Sequence, residues 1–154
     1  MIRAIRITKA KYANQAFTGQ GGLFVSGRWH RKMVPMVYCS STCSLATLEV
    51  FVNLQEGAKK IKFVSFEVSM PDGLVIDIES ITSLPKRWRN EPPEEGTKKI
   101  GSDWARSMGS AVLSVPSATV PSERNYLLNP MHLDFSKVTI NKAVPFSFDS
   151  RLWK

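Results

Sequence analysis

The stretch PMVYCSSTCSLATLEVFVNL, residues 35–54, changes its periodicity halfway along. Its first part, PMVYCS, reads as a strand, with Pro35 at the start where a missing N–H is tolerated. Ser41 or Thr42 can then cap a helix by accepting from a free backbone N–H of the first turn. The spacing predicts a helix over 42–55, with Gly57 just past its end. That helix is almost wholly apolar and yet carries one carboxylate, Glu49, between Leu48 and Val50. An interior solvates a carboxylate poorly, so an acid there must be paired, protonated or open to a cavity. Asn53, four residues on, lies on the same side of the helix. Pattern alone leaves two readings open: a narrow exposed polar strip, or a functional acid.

Working outward, MIRAIRIT at the N-terminus alternates with period two and reads as a strand. IKFVSFEVSM (61–70) alternates cleanly, with Val64, Phe66, Val68 and Met70 as its expected core face. GLVIDIES forms a further strand after the PDG turn. SLPKRWRNEPPEEGTKK is polar and proline-containing, a surface excursion with one short helix. IGSDWARSMG then reads as a helix with Ser102 as cap and Gly109 as stop. AVLSVPS is a strand ending at Pro116, ATVPSERNYLLNP a loop with a short extended segment, and KVTINKAVPFSFD two closing strands. Six or seven short strands with two main helices make an α+β fold, one compact domain over 1–154 with a mixed, strongly bent sheet.

Composition fits one globular domain, with 43% apolar and 22% charged residues over 154 positions. No apolar run approaches the roughly 20 residues that span a bilayer. The N-terminus lacks the continuous apolar segment of a secretory signal, so the expected location is the cytoplasm. Cys39 and Cys43 have no second Cys/His pair with which to build a zinc site, and read as free thiols. His30 and His132 stand far apart without a carboxylate motif, so no metal centre is expected. The net charge of +8 suits an anionic ligand, an acidic protein or nucleic acid. The basic residues form no stripe with interleaved aromatics, which argues against nucleic acid as the main ligand.

Three features could carry chemistry beside Glu49. Arg28 in SGRWH lies among glycines on a loop, a setting for bidentate recognition of phosphate or carboxylate. On the motif alone it reads more readily as a structural arginine stacked on Trp29 or paired to Glu49. Ser117 sits where a strand meets a loop, but no G-x-S-x-G elbow accompanies it and neither histidine has an evident acid. Asn125 and Asn129 flank an apolar segment and are compatible with turns. Taken one at a time, each is compatible with a structural role.

Taken together, GGLFVSGRWHRKMVPMVYCSSTCSLATLEVFVNL, IGSDWARSMGSAVLSVPSATVPSERNYLLNP and PFSFDSRLW closely resemble the RES-domain family. These are toxins of bacterial toxin–antitoxin pairs with an Xre-type antitoxin. The arginine, glutamate and serine that name the family match Arg28, Glu49 and Ser117. The resemblance implies a fold similar to the ADP-ribosyltransferase toxins and cleavage of the nicotinamide–ribose bond of NAD by hydrolysis or phosphorolysis, with NAD as substrate and no added cofactor. It further implies that Glu49 stabilises the oxocarbenium-like transition state and that Arg28 binds the pyrophosphate. Tyr38 would stack on a ring or orient the ribose, Ser117 would bond the substrate near the nicotinamide end, and Asn125 would add a supporting polar contact. Where the family commonly has asparagine after GRW, this chain has His30. The implied partners are NAD and a helix-turn-helix antitoxin, in a homodimer or a larger toxin–antitoxin complex. ADP-ribosyl transfer to a protein, and a non-catalytic module binding nucleotide or nucleic acid, are the alternatives.

Overall fold

In the computed structural model, which describes residues 1–153, β1 (Ile2–Lys9) and β3 (Phe63–Met70) run antiparallel and pair along their full lengths. β2 (Val37–Ser40) lies on the other side of β1. The remaining strands are β4 (Val75–Asp77), β5 (Val112–Pro116), β6 (Arg124–Leu128), β7 (Thr139–Ile140) and β8 (Val144–Phe146). One sheet results, in the order β4-β5-β6-β2-β1-β3-β7, with β8 also on β3. Only β4 and β5 are parallel, so the sheet is mixed as the sequence predicts. Its middle is nearly open, because β1 and β2 pair only at Ile5 and Ser40. The sheet is thus two ladders joined at a seam.

The helix after β2 is α2 (Cys43–Phe51), α1 being the single turn Gly21–Phe24. Thr42 caps α2, its Oγ1 accepting from the Leu45 N–H at 3.0 Å. Leu45 and Ala46 are buried beneath it, and Ala46 joins Ile7 and Phe63 in a small core with Val50, Leu54, Phe146 and Phe148 around it. Phe63, expected on the outer face of β3, is therefore buried under α2 and the closing strands. The other face of the strand behaves as expected, with Phe66, Val68 and Met70 buried.

Two larger clusters cover opposite faces of the sheet. Val37, Cys39, Val68, Met70, Val112 and Leu128 form one. Trp29, Met36, Trp104, Leu113, Val115 and Leu127 form the other. Adjacent Leu127 and Leu128 thus point to opposite faces and are both fully buried, each contributing about 1.5–3 kcal/mol. The short extended segment expected within 118–130 is β6, and it is a central strand paired with both β5 and β2 rather than a stray piece of a loop. The described residues form eight strands rather than six or seven. The second main helix, α3 (Glu95–Arg106), begins well before the cap expected at Ser102, and its N-cap is Glu94. Ser102 is not its cap but lies buried within it. Among the described residues no helix is long and apolar enough to cross a membrane.

Candidate active site

The seam between β1 and β2 opens into a cavity of about 490 Å³, within the size range of small-molecule sites. Residues 5–7 of β1 line one side, residues 38–40 of β2 the other, α2 adds Ala46, Glu49 and Val50, and the turn after it adds Asn53. Glu49 is half-buried on this wall. Its Oε1 accepts from the Ser117 hydroxyl at 2.5 Å and from Asn125 Nδ2 at 2.9 Å. Among the described residues nothing donates to Oε2. One oxygen is therefore fixed by two donors while the other keeps its acceptor capacity.

Both donors are themselves oriented. The Thr119 and Val120 N–H groups donate to Ser117 Oγ at 3.1 and 3.0 Å, so the serine's only hydrogen is directed to the carboxylate. Ser40 Oγ donates to Asn125 Oδ1 at 2.7 Å, which turns the amide nitrogen toward Glu49. Ser117 is fully buried and lies behind the acid, off the cavity wall. The Ser117 hydrogen is directed to Glu49 rather than into the cavity.

Arg28 lies across the same cavity but makes no hydrogen bond or ion pair with Glu49 among the described residues. Its guanidinium donates to the carbonyls of Trp88 and Asn90, at 3.0 and 2.6 Å, and to Glu91 Oε2 at 2.9 Å. The expectation that Arg28 pairs with Glu49 is not met, because the excursion before α3 brings three acceptors to it first. The adjoining loop is locked from below. A Cβ on Gly101 of α3 would fall 1.8 Å from the Trp29 carbonyl oxygen, so only glycine permits that approach. Ser102 Oγ accepts from the Arg31 N–H at 2.9 Å, and Trp29 stacks on Trp88 with centroids 6.4 Å apart.

Tyr38 lines the cavity while His30 holds its hydroxyl from behind. His30 Nε2 lies 2.9 Å from the Val25 carbonyl, which can only accept, so Nε2 carries the hydrogen. Nδ1 then accepts from the Tyr38 hydroxyl at 2.7 Å, and the Trp29 N–H donates to that hydroxyl at 3.2 Å. Burial keeps His30 below its ordinary pKa, although the Val25 contact opposes this. Burial likewise pushes the Tyr38 phenol far above its ordinary value, against the opposing Trp29 N–H and Arg28. The phenol stays neutral, its proton spent on His30. Gly27 makes room for this pair, since a Cβ there would lie 2.7 Å from the Tyr38 oxygen.

Of the residues expected at the site, Arg28, Tyr38, Glu49 and Asn125 line one cavity, and Ser117 supports it from behind. Sequence reasoning missed Arg6. Its Nε donates to the Ala16 carbonyl at 2.8 Å and an Nη to the Tyr38 carbonyl at 2.9 Å, bridging the seam where the ladder stops. Burial lowers its pKa from the ordinary arginine value. The available signal was register: Arg6 falls on the same face of β1 as the fully buried Ala4. Cys39, at the cavity's edge, is a free buried thiol pushed up to about 12 by burial.

Comparison with known proteins shows the family of the chain. A family model described as the RES domain matches residues 3–149. The chain is 40% identical over 150 residues to a protein named Toxin Res from Photorhabdus laumondii subsp. laumondii, covering 97% of this chain and 96% of that one. It is 34% identical to a Toxin Res of Yersinia enterocolitica, over 96% of this chain and 97% of the relative. A protein of Sphingobium sp. named Prs ADP-ribosylating toxin is also 34% identical, over 92% and 89% of the two chains. Among solved structures, a chain of the M. tuberculosis MbcT–MbcA toxin–antitoxin complex shares the fold. Its TM-score is 0.74 at 14% identity, over 94% of this chain and 84% of that chain. The α+β architecture expected from the sequence is therefore that of a known toxin-complex structure, and the chain belongs to the RES-domain family.

Proposed function

We propose that this chain is the toxin of a toxin–antitoxin pair and an enzyme that cleaves the nicotinamide–ribose bond of NAD. The observation that carries the reading is Glu49, which lines the cavity with Oε1 held by Ser117 and Asn125 and with no donor to Oε2 among the described residues. Departure of nicotinamide leaves positive charge on the ribose ring, as in glycoside hydrolysis. A carboxylate fixed in advance stabilises that charge without reorganising during the reaction. Arg28 binds the pyrophosphate of NAD, and Tyr38 presents its ring to the ligand because its hydroxyl hydrogen is held by His30. Ser117 and Asn125 aim the carboxylate, and Asn125, which also lines the cavity, is open to a ligand contact. The reaction draws on NAD as substrate, and none of these roles calls on an added cofactor.

Incubating the purified chain with NAD and following free nicotinamide tests the enzyme reading. The expected result is nicotinamide release with ADP-ribose as co-product if water is the acceptor, or ADP-ribose 1-phosphate if phosphate is. No release by folded, antitoxin-free protein overturns it. Arg28→Ala is expected to weaken NAD binding, and unchanged affinity would return Arg28 to a purely structural role. A second reading, transfer of ADP-ribose to a protein, is favoured by the relative named for ADP-ribosylation. It shares the transition state and is distinguished by radiolabel from NAD appearing on protein. The partner we propose is an Xre-type antitoxin, supported by the toxin–antitoxin complex that shares the fold.

A further inference from the structure

Among the described residues, Met33 (φ 73°) and Met108 (φ 56°) are the only non-glycine residues with positive φ. Each occupies a position where glycine is the usual residue. Met108 follows the last turn of α3, its N–H donating to the Ala105 carbonyl while the Gly109 N–H donates to Trp104. That is the left-handed helix stop in which glycine predominates, yet here glycine comes one residue late. Met33 is third in the turn closed by the Val34 N–H and the Arg31 carbonyl, where positive φ again favours glycine or asparagine. Burial does not explain either side chain, for Met33 is 72% and Met108 47% exposed.

Both line one groove of about 110 Å³, together with Met131, Val34, Pro35 and Arg106. Met131 is exposed too. The groove shares no lining residue with the catalytic cavity. It lies by the Val37–Leu128 end of the β2–β6 ladder, whereas the cavity lies at the Ser40–Asn125 end, roughly 10 Å away along the strands. Exposed methionines adapt to varied apolar surfaces, and three of them line this one groove where two of the backbone positions favour glycine. Arg106 lines the groove and Lys32 directly precedes Met33; both are exposed and make no ion pair among the described residues, while Asp103, one turn before Arg106, is held by Lys99. A second copy of a chain carrying +8 would set like charge against like.

We propose that this groove docks an acidic, amphipathic segment of the antitoxin. An aliphatic side chain sits among Met33, Met108 and Met131, and flanking carboxylates meet Lys32 and Arg106. The identity of the partner rests on the toxin–antitoxin reading above; the surface is separate from the catalytic cavity.

The test uses the full chain, methyl-labelled at its six methionines, titrated with the purified helix-turn-helix protein proposed as its antitoxin. The expected result is movement of the Met33, Met108 and Met131 methyl signals while those of buried Met36 and Met70 stay in place. The Met33→Gly/Met108→Gly double variant relieves both strained positions, so it is expected to melt no lower than the parent. It keeps full nicotinamide release but binds the antitoxin at least tenfold more weakly. Unchanged affinity, or shifts confined to the cavity, overturns the proposal. Concentration-dependent shifts at the three methyls in the free chain, showing that a second copy fills the groove, overturn it as well. Absence of any complex overturns the toxin–antitoxin reading and this one together, whereas nicotinamide release by the free chain is read separately from both.

Discussion

Replacing Glu49 with Gln separates the charge of the side chain from its shape. The Gln oxygen can take the place of Oε1 and accept from both Ser117 and Asn125, so the hydrogen-bond frame is retained. Its amide nitrogen then lies where Oε2 faces the cavity, and the negative charge is gone. A unit charge about 4 Å from the developing ribose cation, at an effective dielectric of about 20, is worth about 4 kcal/mol. At 1.4 kcal/mol for each factor of ten, turnover should fall by about 10³. The assay is nicotinamide release under saturating NAD, accompanied by a urea melt. We expect the melt to change little, since Gln preserves the packing and both bonds. A variant within tenfold of the parent turnover would refute the role given to the carboxylate. Ser117→Ala is the companion measurement. It deletes one donor to Glu49 and leaves the Thr119 and Val120 N–H groups without their acceptor. That variant should lose about 1–3 kcal/mol of stability as well as turnover.

Glu91→Gln removes the carboxylate that occupies Arg28; measured by calorimetry in the Glu49→Gln background, NAD should bind about two- to fivefold more tightly, as expected for one exposed ion pair. Weaker binding would mean that Glu91 assists the ligand rather than competing with it. Thr42→Ala should cost about 1 kcal/mol in a urea melt through loss of the α2 cap, and no change would show that the cap is redundant. Stability should also fall as the pH drops below about 6.5. Burial keeps folded His30 below that ordinary value, so the unfolded chain takes up the proton first. His30 therefore contributes fully above pH 6.5 and loses that contribution as the pH falls toward its folded pKa. The carboxylate that Arg124 holds low, Glu79, adds its own loss only nearer pH 4. Melts at pH 7.5 and 5.5 should differ less in His30→Asn than in the parent; an equal difference would assign the effect elsewhere.

Much of the architecture could be read from local patterns. β1, β3 and β5 follow from alternation or a short apolar run, and α2 from its cap and apolar composition. The central place of β6 is not legible, because RNYLL sits between proline-bearing segments and has both faces covered, so it shows no alternation. Ser102 looked like a helix cap because serine often caps; only the packing of the Arg31 N–H against it reveals why it lies inside α3. At the site, the resemblance pointed to Arg28, Tyr38, Glu49, Ser117 and Asn125. It did not say that Ser117 acts through Glu49, nor that Glu91 stands on Arg28. Those facts depend on loops 117–123 and 84–94, whose paths are set by long-range contacts that no local window contains. Arg6 was missed for a different reason. A lone arginine on an apolar strand has a register but no motif, and its meaning comes from the gap it bridges.

That gap has a consequence for how the site can be altered. Continuous strand pairing would tie the two sides of the cavity to a fixed interstrand spacing, and no side-chain change could move them apart. Here a single residue pair joins the ladders beside the cavity, and α2 packs across the seam with Ala46 buried over Ile7. The width of the cleft is therefore governed by the thickness of what lies beneath α2, like a door held ajar by its doorstop. A methyl group added or removed at that one small residue would retune the cleft while every backbone hydrogen bond of the sheet stays made.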